Sequence, residues 1–155
     1  LSTLHTNTAV GCIVRMWNMG IEPFLLASSL VLAASQRLVR RLCMVCREEF
    51  TVSEELKKYL GITEEGPLRL YRAKGCSQCG MSGYRGRISV IETLKLTPNI
   101  RELVMQRAAE DRVKAAARQE GMVTLRENAV EKMKMGLTST EEVLRVTLVD
   151  EAVSA

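Results

Sequence analysis

Four of the five cysteines in this chain fall into two matched pairs, Cys43-x-x-Cys46 and Cys76-x-x-Cys79. Two residues between cysteines let both sulfurs of a tight turn face one point, and two such turns brought together form a tetrahedral thiolate cage. Gly75 and Gly80 flank the second pair and supply the backbone freedom a tight knuckle needs. A lone Cys-x-x-Cys serves redox chemistry as readily as metal, but two of them without a thioredoxin-like βαβ context specify metal. Four sulfurs leave no open coordination position, so the expected ion is a structural Zn²⁺ that staples the fold and does no chemistry. An iron–sulfur cluster is the lesser reading, because its usual ligand spacings differ. Cys12 is left over, most simply as a small buried hydrophobe.

The only histidine, His5, lies in Ser2-Thr3-Leu4-His5-Thr6-Asn7. An imidazole there could serve as a hydrogen-bonding or proton-transferring group of a site. It could equally be an interior histidine satisfied by Thr6 and Asn7. Residues 23–47 contain no acid but include Arg37, Arg40, Arg41 and Arg47. Such a run is either a solvated face or a surface that meets phosphates through bidentate guanidinium contacts. Arg85 and Arg87, on the Gly-rich stretch Gly83-Tyr84-Arg85-Gly86-Arg87, invite the same two readings.

The elements that must position these groups alternate between strand and helix. Leu1–Leu4 reads as a strand. Val10, Ile13, Val14 and Trp17 then mark one face of a helix that Gly20 can stop. Pro23 opens a second segment, Phe24 to Ala34, apolar nearly all round and so expected to be buried. Leu38, Val39 and Leu42 read as an inner strand. Between the cysteine pairs, Ser53 to Leu60 is predicted helical, with Ser53 as N-cap and Gly61 as stop. Leu68-Arg69-Leu70 and Ile88-Ser89-Val90 alternate as strands, and Cys76 to Gly86 reads as a turn-dense loop. From Thr97-Pro98 onward the chain reads as four helices, with capping boxes at Thr124/Glu127 and Thr138/Glu141. The expected organisation is α/β plus α: residues 1–42 in one α/β core, 43–79 as a four-cysteine insert, 80–96 as the return to the core, and 97–155 as a helical subdomain.

Bulk properties narrow the class. The chain has 155 residues, 46% hydrophobic and 26% charged, which is ordinary globular composition. The net charge of +4 permits contact with phosphates but does not resemble a dedicated DNA-binding domain. The longest uncharged run, Pro23 to Gln36, is shorter than a bilayer span requires, and no secretory leader is visible. Because Leu1 opens what reads as a strand, we expect a portion of a longer protein.

Several ordered motifs resemble the hexameric ATPases of type II secretion and type IV pilus assembly. They are Ser2-Thr3-Leu4-His5-Thr6-Asn7-Thr8-Ala9, Met19-Gly20-Ile21-Glu22-Pro23-Phe24-Leu25, Gln36-Arg37-Leu38-Val39-Arg40, the two cysteine pairs, and Gly83-Tyr84-Arg85-Gly86-Arg87. The resemblance implies the C-terminal part of a RecA-like ATPase core with a zinc insert and a C-terminal helical subdomain. It implies His5 as the family's His-box residue near the γ-phosphate, and Gln36, Arg37, Arg85 and Arg87 as candidate nucleotide contacts. It further implies ATP and Mg²⁺ in the parent and a homo-hexamer. The implied partners are an inner-membrane platform protein and cytoplasmic adaptor proteins, at the cytoplasmic face of the inner membrane. No nucleic-acid partner is expected.

One departure matters. None of the ten glycines is followed by lysine, so the phosphate-cradling Walker A loop is not in this sequence. The parent is therefore expected to be the ATP hydrolase, and this chain alone is expected to be inactive. The rival reading is a non-catalytic zinc-ribbon module that binds nucleic acid or protein, supported by the basic run and the cysteine pairs. Against it, the cysteines enclose no basic and aromatic reading surface.

Overall fold

The computed structural model describes residues 1–151, with side chains through Thr147. The described residues form seven α-helices and two two-stranded sheets, a mixed α/β arrangement. Contacts divide the chain into two units, residues 1–36 with 91–125, and residues 37–90 with the segment from 126 on. The long strands β1 (Leu32–Leu42) and β4 (Tyr84–Lys95) pair with each other and run through both units. In the first unit Leu96 N donates to Val31 O, and in the second Cys43 N donates to Gly83 O.

In the first unit, α1 (Ala9–Asn18) starts where Thr8 caps it, the threonine Oγ1 accepting from Gly11 N at 2.9 Å. Val10 and Ile13 are each 1% exposed and turn toward α4 (Pro98–Met105) and α5 (Glu110–Gln119). Thr97 caps α4 and Pro98 occupies its first position, as the sequence predicts. Leu94, Leu96, Ile100 and Val104 complete the apolar centre. Two expectations fail here. Leu1–Leu4 is irregular, because alternation of apolar residues makes a strand only where a partner supplies the ladder. The segment after Pro23 is a short helix, α2 (Pro23–Ser29), and the chain then turns extended at Leu30 and enters β1. It is also half-exposed, with Phe24 and Leu25 open to solvent.

The second unit contains the cysteine insert. Its α3 (Glu54–Leu60) begins at the Ser53 cap and stops at Gly61, which takes the left-handed φ of 73°. Strands β2 (Glu48–Thr51) and β3 (Arg69–Arg72) pair antiparallel, with Phe50 opposite Leu70 and Glu48 opposite Arg72. Val52, Leu60, Ile62 and Leu70 are buried around them, so the insert has a small core of its own. Lys57 is also buried, at 2% exposure. Its Nζ donates to Glu54 Oε1 at 2.6 Å and to the Gly66 carbonyl, which ties the loop after α3 to the helix. Helices α6 (Leu125–Lys134) and α7 (Thr140–Glu151) follow. The cap before α7 falls one residue later than the Thr138/Glu141 pattern predicts. Thr138 is fully buried, and its hydroxyl donates instead to Arg40 O at 2.9 Å.

Candidate metal centre

The turn after β1 and the turn before β4 carry the two cysteine pairs to one place. The four Sγ atoms all lie within 4.8 Å of one another. Cys43 Sγ is 4.0 Å from Cys76 Sγ, Cys46 Sγ is 3.8 Å from Cys79 Sγ, and Cys76 Sγ is 3.7 Å from Cys79 Sγ. A thiolate tetrahedron with Zn–S near 2.3 Å has edges of about 3.8 Å, so the donor set fits Zn²⁺. These separations are far beyond a disulfide bond, and all five cysteines are free.

The second knuckle is built by the backbone. Ser77–Cys79 forms one 3₁₀ turn, and the N–H groups of Cys76 and Gly83 each donate to Cys79 Sγ at 3.2 Å. Burial raises the Cys79 thiol, but these two donors, with the neighbouring Cys76 and Cys46 thiols, outweigh it and bring the pKa down to about 6. For Cys46, burial and the neighbouring thiols push the pKa up to about 12. The hydrogen bond from the Val45 backbone lowers Cys43 against the effect of its burial. Gly75 is required by space as well as conformation. At φ 110° a Cβ there would lie 2.6 Å from the Met81 carbonyl oxygen, closer than any side chain tolerates.

His5 is exposed, in the irregular segment that leads into α1, and among the described residues no side chain or backbone group bonds to it. The residues after it are held firmly. Ser35 Oγ on β1 donates to Asn7 O at 2.8 Å, Thr8 Oγ1 donates to Glu110 Oε1 at 3.0 Å, and Ala9 N donates to Glu92 Oε1 at 2.7 Å. Three elements distant in sequence thus fix the anchor of a segment whose imidazole stays open. The reading of His5 as an interior histidine does not hold.

The arginines divide by what they touch. Gln36 and Arg37 are consecutive on β1 and point to opposite faces, Gln36 exposed and Arg37 half-buried. Arg85 and Arg87 are exposed on β4, either side of Gly86. Arg47 is structural, its Nη1 donating to Gly136 O at 2.5 Å and its guanidinium lying 4.2 Å over the Tyr71 ring. Arg40 lies 4.0 Å over the Tyr84 ring and bonds Glu142 through both its backbone N–H and its Nε. Arg87 and Arg40 share an open depression of about 360 Å³ with Leu38, Glu142 and Arg145. Glu142 and Arg145 were not anticipated, since an acid and a base three apart on a helix look like any surface pair. Glu92 was missed for a similar reason, being a single acid in an otherwise ordinary strand.

The chain matches the family model described as "Type II/IV secretion system protein" over residues 1–145. It is 44% identical over 147 residues to "Type II secretion system ATPase E" of Vibrio cholerae, covering 95% of this chain and 29% of that protein. "Type II secretion system protein E" of Pseudomonas aeruginosa is 43% identical over 147 residues, with 95% and 29% covered. "Type IV pilus assembly ATPase PilB" of Thermus thermophilus is 40% identical over 151 residues, with 96% and 17% covered. The chain therefore spans less than a third of the length of these relatives.

Proposed function

The chain belongs to the type II/IV secretion system protein family, and from that premise we propose that it is the C-terminal portion of a motor ATPase that drives type II secretion or type IV pilus assembly. The observation that carries this reading is identity of 40–44%, over 95% or more of the chain, to proteins named as ATPases of both systems. In this reading residues 1–42 and 80–96 complete a RecA-like core, 43–79 form the zinc insert, and 97–155 form the helical subdomain. The parent works as a homo-hexamer at the cytoplasmic face of the inner membrane and acts on a platform protein there.

His5 is the group this chain contributes to hydrolysis. Its support is the contrast between an open imidazole and the three hydrogen bonds that pin Asn7, Thr8 and Ala9. An imidazole so placed orients or accepts a proton from the attacking water. Most of the ground-state grip on ATP and Mg²⁺ comes from a phosphate loop elsewhere in the parent, since no glycine here precedes a lysine. Gln36, Arg37, Arg85 and Arg87 supply further nucleotide contacts. The zinc site takes no part in chemistry. When bound, Zn²⁺ supplies folding free energy to the insert through Cys43, Cys46, Cys76 and Cys79.

Complementation tests this reading directly. The full-length protein, expressed in a strain lacking its own secretion or pilus-assembly ATPase, should restore export or piliation, and His5→Ala should abolish that rescue at equal protein level. Rescue by the variant at wild-type level would remove His5 from the mechanism. Failure of the wild-type protein in both kinds of strain would remove the motor assignment.

A further inference from the structure

The depression on the second unit has none of the four cysteines in its lining. Leu38 and Arg40 reach it from one face of β1, Arg87 from β4, and Glu142 and Arg145 from successive turns of α7. Glu142 is 1% exposed, and its two oxygens are fully engaged. Oε1 accepts from Arg40 Nε at 2.9 Å and Arg145 Nε at 3.1 Å; Oε2 accepts from Arg40 N at 2.6 Å and Arg145 Nη2 at 2.8 Å. One carboxylate thus fixes two guanidiniums and has no lone pair left for a third.

Three guanidiniums against one carboxylate leave the depression with an excess of two positive charges. The donors that carry the excess face outward. Among the described residues neither Nη group of Arg40 nor the Nη1 of Arg145 has a hydrogen-bond partner, and the Arg87 side chain makes no hydrogen bond or ion pair. Arg40 is further held against the Tyr84 ring, whose hydroxyl is 2.8 Å from Ser139 Oγ. Two of the three cations are therefore ordered before any ligand arrives, which lowers the entropic cost of binding. Fixed guanidinium forks with free N–H edges recognise tetrahedral oxyanions, and a phosphate monoester carries close to two negative charges at neutral pH. Leu38, half-exposed at the rim, offers an apolar surface to the organic part of the ester.

We propose that Arg40, Arg87 and Arg145, arranged around Glu142, form a binding site for a phosphate monoester. The site goes beyond the motor reading, with which it shares Arg87, and its test does not depend on ATP turnover. The phosphate can come from a soluble metabolite or from a lipid headgroup of the same chemistry.

The test is titration of the zinc-loaded chain at pH 7.5 and low salt, first with glycerol 2-phosphate, then with vesicles containing phosphatidic acid. The wild type should bind at least one of them, the soluble ester with a dissociation constant of about a millimolar or better. Arg87→Ala should weaken that binding at least about tenfold, since it removes charge-assisted hydrogen bonds from an arginine with no structural partner. Arg87→Lys should restore only part of it, because a point charge replaces a fork. Arg41→Ala, at an exposed arginine of β1 outside the lining of the depression, should leave binding within twofold. Binding of the soluble ester assigns a metabolite, and binding of the vesicles alone, lost in Arg87→Ala, assigns a headgroup. Absence of both, equal losses in the Arg87 and Arg41 variants, or equally tight binding of a dicarboxylate such as glutarate would overturn the proposal.

Discussion

The carboxylate of Glu92 accepts a hydrogen bond of 2.7 Å from the backbone N–H of Ala9, the first residue of α1. Its other oxygen accepts from Leu125 N at 3.1 Å, the first residue of α6. One acid, 2% exposed, therefore serves the electropositive starts of two helices that lie far apart in sequence. Glu92→Ala should leave two N–H groups unpaired in the interior and cost about 3 kcal/mol. For a chain of this length that is a fall in Tm of about 10 °C in a thermal melt. Glu92→Gln keeps one acceptor and should lose about half as much. Equal stability of Glu92→Ala and the parent chain would show that water replaces the carboxylate.

Glu142 makes stability depend on acid. Burial would raise its pKa, but the hydrogen bonds from Arg145 and Arg40 outweigh burial and hold it at about 2, below the ordinary 4.5. The folded chain thus binds the proton more weakly than the unfolded one. Its contribution is fully present above pH 4.5, about 3 kcal/mol, and is lost as the pH falls toward 2. Denaturant midpoints between pH 6 and pH 3, compared between wild type and Glu142→Gln, should show a shallower acid slope in the variant. Loss of bound metal at low pH affects both proteins and cancels. Parallel slopes would mean that Glu142 is not what titrates.

How far the sequence reveals this depends on whether the signal is local. The Ser53 and Thr97 caps, the Gly61 stop and the cysteine knuckles each lie within a few residues of what they control, and the structure places them where spacing predicts. Strand β2 was invisible because Glu48-Glu49-Phe50-Thr51 has a single apolar residue, and it exists only through its pairing with β3. Strand β4 begins at Tyr84, earlier than expected, because Gly86 looks like a turn residue. Its φ of 80° inside a strand is the geometry of a bulge. The Glu92 and Glu142 networks join residues up to about a hundred positions apart, and no spacing rule reaches that far. His5 was legible as a candidate, but its exposure depends on how Ser35, Glu92 and Glu110 hold the following residues.

Metal should be integral to the second unit. Protein purified in reducing buffer without added metal should carry one zinc per chain by elemental analysis. Removing it with a chelator should unfold the insert, since structural zinc contributes on the order of 10 kcal/mol of apparent binding free energy. Cys43→Ser should do the same while much of the signal from α4 and α5 persists. Gly75→Ala is the sharper probe, because it leaves all four ligands in place and strains only the knuckle. It should lower zinc affinity measurably in competition with a chromogenic chelator. Iron in place of zinc, or a metal-free folded protein, would refute the assignment.

The role proposed for His5 predicts that its effects on chemistry and on stability separate. His5 is exposed and has no partner among the described residues, so His5→Ala should change the stability of the chain by no more than about 0.5 kcal/mol, the usual range for a surface substitution. In the full-length parent the same substitution should lower ATP turnover at least about tenfold, since a positioned proton-transfer or water-orienting group contributes about 10²–10⁴-fold and subunit motion limits part of the rate. ATP affinity, measured by titration of the parent with a non-hydrolysable analogue, should change far less, because in the proposed reading ground-state binding rests on a phosphate loop elsewhere in the parent. Substitutions at Ser35 or Glu110 provide the control for indirect effects. Each removes one hydrogen bond that anchors Asn7 or Thr8 and should cost both stability and turnover. A His5→Ala parent that hydrolyses ATP at the wild-type rate, or whose loss of turnover is matched by a loss of several kcal/mol in the chain, would place His5 among the structural residues.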